Sequence, residues 1–363
     1  MRRRHALLAL TAIGMQRAAW PVTADELHFP RDHGSHPTFA TEWWYLTGQV
    51  QAEGALWGFQ ITFFRSRVDI AATMHSAFAA RQLLFAHAAL TDLRGRRLLH
   101  DQRIAREGFG VARASEEDTA IRLQDWSLTR ENAHVPGHSR YLIEAAAQGF
   151  SLQLQATSTQ PVLLQGEHGL SRKGPEPAQS SWYTSQPQLA VTGHVTLGNK
   201  RMPLQAGQPW DNRAWMDHEW SEALMHPDAV GWDWIGMNLR DGGALTAFVL
   251  RRLDGSALWA GGSFRPSASA PAQVFGADDV RFTPQRLWTS AASGARYPVQ
   301  WQIDTPAGRY GVHALLDDQE LDSGASTGAI YWEGLSVLRD AGGEEIGRGY
   351  LEMTGYARPL RLR

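Results

Sequence analysis

From residue 25 onward the hydrophobic positions fall in short runs that alternate with polar ones and are broken by Gly, Asp and Pro, with almost no helical periodicity. Trp43-Trp44-Tyr45-Leu46-Thr47-Gly48-Gln49-Val50 and Leu56-Trp57-Gly58-Phe59-Gln60-Ile61-Thr62-Phe63-Phe64 flank residues 51–54 as two strands flank a hairpin turn. Residues 141–145 and 150–156 form another such pair. Alternation at this spacing predicts an all-β, antiparallel meander. One short helix is expected around residues 74–82.

The landmarks of the first half recur in order in the second. Aligning Trp43 with Trp232 brings Gly54-Ala55-Leu56 onto Gly243-Ala244-Leu245, Phe59 onto Phe248 and Ile61 onto Leu250. Trp126-Ser127-Leu128 finds a counterpart near Leu287-Trp288-Thr289, and Trp182-Tyr183 near Tyr331-Trp332. Trp215-Met216-Asp217 falls opposite Tyr350-Leu351-Glu352. An internal duplication therefore predicts two related β-domains, residues 28–222 and 223–363. A meander of this many strands is most stable when its edges close, and barrels of about eight strands have room for one small ligand. The first domain is longer by two inserts, around 70–84 and 167–181, and the Pro/Ser/Gly-rich second one is expected to be a mobile loop or lid.

Composition narrows the function. With 35 basic and 37 acidic residues the formal net charge is −2, so no nucleic-acid partner is expected. The 15 Trp far exceed what 363 residues usually carry, and indole fills large cores or lines apolar pockets. Cysteine is absent, which excludes disulfides, thiolate catalysis and Cys-based metal sites. Arg2-Arg3-Arg4-His5, the short apolar run 6–14 and the small residues Val22-Thr23-Ala24 read as a signal peptide over residues 1–24. A periplasmic or secreted protein is expected, and the apolar run is too short to span a bilayer.

The segment Trp215-Met216-Asp217-His218-Glu219-Trp220 concentrates costly groups. In a strand, Trp215, Asp217 and Glu219 share one face while Met216, His218 and Trp220 share the other. Asp217, His218 and Glu219 are the catalytic candidates. A carboxylic acid held against indoles loses solvation, its pKa rises, and it becomes a usable proton donor near neutral pH. Indole faces also attract cations, so a carbocation formed by protonating an alkene is stabilised in the same place. The ligand-binding candidates are accordingly Glu42, Trp44, Tyr45, Tyr183, Trp215, Trp220, Trp232, Trp234 and Trp332, with Asp233 and Glu333 as further neighbours if the domains pack side by side. Such a site suits hydration or cyclisation of an isoprenoid, and it equally suits a carrier that binds a lipophilic ligand without chemistry.

Other chemistries fit less well. Asp217 and Glu219, about 7 Å apart on one strand face, have the separation of an inverting glycosidase, which keeps a hydrolase as an alternative. No Gly-x-Ser-x-Gly is read in the chain, so the strand-to-helix nucleophile of the common esterases is expected to be missing. No phosphate loop or dinucleotide fingerprint follows a strand, and no cofactor is expected. His33 and His36, with Asp32 and Glu42 nearby, have zinc-ligand chemistry. Short His-containing turns commonly bond their own backbone, however, and no metal is assigned there.

These residues carry a family resemblance. Asp32-x-Gly34-x-His36, Glu42-Trp43-Trp44-Tyr45-x-Thr47-Gly48, Gly58-Phe59-Gln60-x-Thr62-Phe63-Phe64-Arg65, Trp215-Met216-Asp217-His218-Glu219-Trp220, Gly231-Trp232-Asp233-Trp234, Tyr331-Trp332-Glu333-Gly334 and Gly349-Tyr350-x-Glu352-Met353-Thr354-Gly355-Tyr356 resemble the AttH-like "predicted secreted hydrolases", relatives of carotenoid 1,2-hydratase (hydroxyneurosporene synthase). The resemblance spans nearly the whole chain beyond residue 24 and implies two lipocalin-like (calycin-type) β-barrel domains. It implies water addition to a terminal isoprenoid double bond without a redox cofactor, with Asp217 of Trp215-Met216-Asp217 as the acid. It also implies an apolar small-molecule partner met at the membrane surface. Two departures are plain: Trp215 stands where Tyr is usual, and no His adjoins Trp182-Tyr183.

Overall fold

A computed structural model describes residues 26–360 apart from 72, 77, 209 and 224. The expected signal segment, residues 1–24, lies outside the described residues. Among those described, regular structure is strand with two 3-10 turns, Arg31–His33 and Asp69–Ala71, and no α-helix. The helix expected over 74–82 is absent. Ile70, Met74 and Phe78 are exposed there, so a helix would have had no apolar face to bury, and a turn or two of helix is marginal on its own. Strand pairing instead begins at Gln82, which the Gln82–Asp92 strand lays against Arg67.

The strands form two large antiparallel sheets. In the first, Arg97–Arg106, Gln82–Asp92, Ala55–Arg67 and Thr41–Ala52 run side by side, followed by Arg213–Ser221, Ser180–Leu197, Phe150–Thr157, Ser139–Ala147 and Trp126–Asn132. In the second, Ala257–Arg265, Ala244–Arg251 and Gly231–Leu239 are followed by Glu345–Thr354, Ala329–Arg339, Gly308–Ala314 and Gln300–Thr305. Each sheet thus pairs its opening strand with its closing one, and the first curls into a nearly closed barrel. The fold is two lipocalin-like barrels related by duplication, as the sequence landmarks imply.

Register makes the duplication residue-specific. Tyr45 pairs with Asp217 in the first sheet and Trp234 with Glu352 in the second, so Asp217 and Glu352 are equivalent. Three sequence alignments need correction. Tyr183, opposite Glu219, corresponds to Tyr331, opposite Thr354, so the Trp182-Tyr183 match was one residue out of step. Leu287–Thr289 forms a separate ribbon with Arg296–Pro298 and is no counterpart of Trp126-Ser127-Leu128. The second opening hairpin is also shorter: Gln49 pairs with Gly58 nine residues on, whereas its counterpart Asn238 pairs with Ala244 six on. An odd difference exchanges strand faces. Phe59 and Ile61 therefore point into the first barrel's core, while Phe248 and Leu250 point out of the second.

Both barrel interiors are filled. Trp44, Leu46, Phe59, Phe63, Trp126 and Met216 belong to one core, and Ile235, Met237, Tyr297, Trp301 and Trp332 to the other. The outward faces of the duplicated opening and closing strands meet in a third apolar cluster containing Tyr45, Trp215, Trp234, Phe248, Leu335 and Tyr350. Glycine allows the approach: a Cβ on Gly58 would lie 2.8 Å from the Tyr350 hydroxyl and 3.0 Å from Leu335 Cβ. The 167–181 insert, expected as a mobile loop, is tied down by Leu170–Arg172 pairing back onto the Ser180–Leu197 strand.

Candidate active site between the barrels

A cavity of about 240 Å³ opens where the two outer walls face each other, not inside a barrel. Strand alternation decides what reaches it. Asp217 and Glu219 line the cavity from the Arg213–Ser221 strand, whereas His218 points the other way. Opposite them stand Trp232 and Trp234, together with the buried Glu333 and the partly buried Glu352. Glu42, Tyr45, Tyr183 and Phe248 line it as well.

Asp217 is held by three donors. Tyr183 Oη donates to Oδ2 at 2.7 Å, and Ser185 Oγ and Trp215 Nε1 each donate to Oδ1 at 2.6 Å. Trp234 Nε1, from the second barrel, donates to the Tyr183 oxygen at 3.0 Å. Burial pushes the Asp217 carboxyl up and the charge of Glu219 adds to this, while the three donors pull it down; the balance is about 7. The group thus keeps its proton on the acid side of neutrality and releases it on the basic side. Glu219 is different, because Lys173 Nζ lies 3.0 Å from Oε1 and Ser181 donates to the same oxygen. Lys173 is itself seated on the Tyr183 and Phe248 rings, 4.5 and 4.1 Å from their centroids.

Across the cavity, burial raises Glu333, reinforced by the charge of Glu352. Burial likewise raises Glu352, with Asp217 and Glu219 adding to it. The Tyr45 hydroxyl faces Glu333, and each acts on the other's titration.

Several sequence candidates sit elsewhere. Trp44 and Trp332 lie in the two barrel cores, the latter donating Nε1 to the Asp317 carbonyl. Trp220 stacks on His36 at 3.7 Å, away from the cavity lining. Asp233 faces into the second barrel, paired with Arg251 at 2.8 Å and accepting from Tyr356 at 3.0 Å; burial raises it to about 6. In each case the odd-even face of the strand, not the residue type, excludes the side chain. Trp215 is outside the cavity lining and acts on it through its bond to Asp217 and its edge-on packing against Trp234.

His218 belongs to a second polar cluster. Its Nε2 lies 2.9 Å from Glu42 Oε1, which also meets His36 Nδ1 at 2.8 Å, and Arg65 Nε donates to Glu42 Oε2 at 2.8 Å. Burial works against the Glu42 charge, but His218, His36 and Arg65 outweigh it and hold the carboxyl far below its ordinary range. Ligand atoms of His36, Glu42 and His218 lie within 4.8 Å of one another, a metal-like grouping. Ser35 Oγ and the His36 amide also donate to Glu42, so its oxygens are already engaged and Arg65 supplies the positive charge a cation would bring. The donor set fits a closed ion-pair network better than a metal centre. His33, the other metal candidate of the sequence, is outside this grouping and burial holds its ring neutral.

Lys173 and His87 also line the cavity and had no sequence signal that singled them out, while Phe248 and Tyr331, marked in the sequence only as repeat and motif landmarks, line it too. Glu352 could have been found, as the duplicate of Asp217. So could Ser326, since Gly324-Ala325-Ser326-Thr327-Gly328 does carry the Gly-x-Ser-x-Gly spacing, on a β-hairpin turn between Glu320–Ser323 and Ala329–Arg339 rather than before a helix.

The family model described as AttH-like matches residues 21–356. The crystal structure of an AttH-type protein from Nitrosomonas europaea is 43% identical, covers 92% of this chain and 98% of that one, and superposes with a TM-score of 0.83. Kievitone hydratase from Nectria haematococca is similar in fold at 13% identity, 92% and 94% coverage and a TM-score of 0.62. CghA, solved with Sch210972, is similar at 12% identity, 91% and 96% coverage and a TM-score of 0.52. No curated protein matches the chain by sequence.

Proposed function

Since the chain belongs to the AttH-like family, whose two-barrel fold it shares with a hydratase, we propose that it binds an apolar, isoprenoid- or lipid-like molecule between its barrels and hydrates or cyclises an alkene by proton donation from Asp217. One observation carries the reading: a buried carboxyl that burial raises to about 7, held by three donors, faces a cavity walled by Trp232, Trp234 and Phe248. In the step proposed, Asp217 gives its proton to one alkene carbon and the electron pair of the double bond forms the new C–H bond. The adjacent carbocation is stabilised by the indole faces and the nearby carboxylates. Water, or a nucleophile within the ligand, then closes the reaction and returns a proton to the cavity acids. Export, expected from residues 1–24, would set this chemistry outside the cytoplasm.

The test is to incubate the protein with acyclic isoprenoids bearing a terminal double bond in heavy-oxygen water. Label in the product, lost in Asp217→Asn while the ligand still binds, supports catalysis. Binding with neither label nor a cyclised product from any terminal alkene leaves a lipophilic-ligand carrier instead.

A further inference from the structure

Ser326 and His87 meet at the same cavity and belong to no step above. His87 projects from the outward face of the Gln82–Asp92 strand in the first sheet, and Ser326 sits on the Gly324–Gly328 turn of the second. Ser326 Oγ lies 2.9 Å from His87 Nε2, and His87 Nδ1 lies 2.6 Å from the Tyr331 hydroxyl. The serine is thus within reach of a base whose far nitrogen is held by a third group, the geometric pattern of an activated nucleophile. In one of the two proton arrangements these distances allow, Nδ1–H donates to Tyr331 and the serine hydroxyl donates to Nε2. Two further acceptors lie within reach of that hydroxyl: Gln102 Oε1 at 2.5 Å, an amide fixed by its own bond to the Asp322 carbonyl at 3.1 Å, and the Ser323 carbonyl at 3.3 Å.

The surroundings suit the role. His87 is 2% exposed, and burial, with a smaller contribution from His100, pushes its ring down to about 3; the ring stands neutral with a lone pair to offer, but as a weak base it takes the serine proton only as the Oγ–carbon bond forms. Ser326, by contrast, is only half-buried, on a glycine-bounded turn that leaves its hydroxyl approachable from the cavity. Phe64, Phe85 and Leu250 line the same space, which favours an apolar chain over a charged one.

We propose that Ser326 is an acyl-accepting nucleophile with His87 as its general base, giving the protein an esterase activity toward carboxylic esters with an apolar acyl chain. His87 Nε2 takes the serine proton as Oγ bonds to the ester carbonyl carbon. The tetrahedral adduct expels the alcohol, which leaves with the proton from His87, and an acyl-serine remains. Water, deprotonated by the same ring, attacks that carbonyl; the Oγ–acyl bond breaks, the carboxylic acid departs and Oγ recovers its proton. The reaction needs no oxidant, metal or cofactor and does not depend on the alkene chemistry of Asp217.

The test uses the full chain with an alkyl fluorophosphonate, followed by peptide mass mapping, and with p-nitrophenyl butyrate and octanoate. The expected result is an adduct on Ser326 with loss of fluoride, absent from Ser326→Ala, and ester turnover that falls to background in that variant. His87→Asn keeps an amide where Nδ1 stands but lacks Nε2, and labelling should slow about 100-fold, the lower end of a general base's worth, in keeping with a weakly basic ring. An adduct on another residue, no adduct on the folded wild-type protein, or ester turnover unchanged in Ser326→Ala overturns the proposal and leaves the contact as a clasp between the barrels. The site mapping on wild-type protein keeps the proposal open to refutation even if a variant fails to fold.

Discussion

The Tyr183 hydroxyl donates to Asp217 Oδ2 over 2.7 Å while accepting the Trp234 indole N–H at 3.0 Å, so one phenol joins the acid of the first barrel to the aromatic wall of the second. Tyr183→Phe removes a donor to the charged carboxyl and strands a buried indole N–H. It should cost about 1–3 kcal/mol of stability, typical of a buried polar group left unpaired. It should also move the Asp217 titration above its present value of about 7. Urea unfolding and carboxyl infrared difference spectra of the two proteins check both; an unmoved titration would show that the bond is not made in solution.

The raised carboxyls set a pH dependence. Asp217 titrates near 7 and Asp233 near 6 in the folded chain, against about 4 for an unfolded carboxyl. Between those limits the folded chain holds protons that the unfolded chain has released, so stability is greatest below pH 4 as far as these groups are concerned and falls as pH rises to 7, then levels. Below about pH 6.5 the buried, neutral His33 and His87 pull the other way, since the unfolded chain protonates them and the folded chain does not. The contribution of Asp217 is therefore read as the change that Asp217→Asn makes in the difference between urea midpoints at pH 5 and pH 8, which should shift against pH 5. An identical gap in the variant would contradict the burial of a neutral Asp217.

Lys173 and Glu219 are both nearly buried and lie 3.0 Å apart. Lys173→Met leaves Glu219 without its cation and should destabilise by about 3–5 kcal/mol, the usual penalty for breaking one side of a buried pair. The double variant Lys173→Met with Glu219→Gln should recover much of that loss. Equal losses in the single and double variants would mean that the lysine stem packing, not the charge, is what counts.

Glu42 is the hub of the other cluster, and Arg65 beside it is 2% exposed. Glu42→Gln leaves that guanidinium, with only neutral partners, inside the first barrel. A loss of about 3–5 kcal/mol is expected by the same reasoning. Because Glu42 is fully engaged, added zinc should leave the melting temperature of the wild-type protein unchanged; a rise that vanishes in His218→Ala would reveal a metal site instead.

Much of the architecture was legible because strand patterning is local. Alternation marked the hairpins, and landmarks such as Trp43 and Trp232 exposed the duplication that made Glu352 the partner of Asp217. What failed, failed through small offsets. A hairpin three residues shorter turned Phe248 and Leu250 outward, and a one-residue slip put Trp332 where Tyr331 belongs. A period of two makes any odd error a change of face, which is why Trp44, Trp332 and Asp233 were expected beside a ligand and are instead inside the barrels.

The amino-acid sequence by itself determined the all-β class, the two-fold repetition and the burial-prone acid at Asp217, because each rests on periodicity or on residue chemistry that a neighbour cannot change. Only the tertiary structure decided that the barrel interiors are filled and that the cavity lies between them. Only it brought Lys173 to Glu219 and His87 to Ser326, pairs 46 and 239 residues apart along the chain. Such contacts depend on how two finished sheets dock, and no local pattern encodes which outward-facing residues will meet.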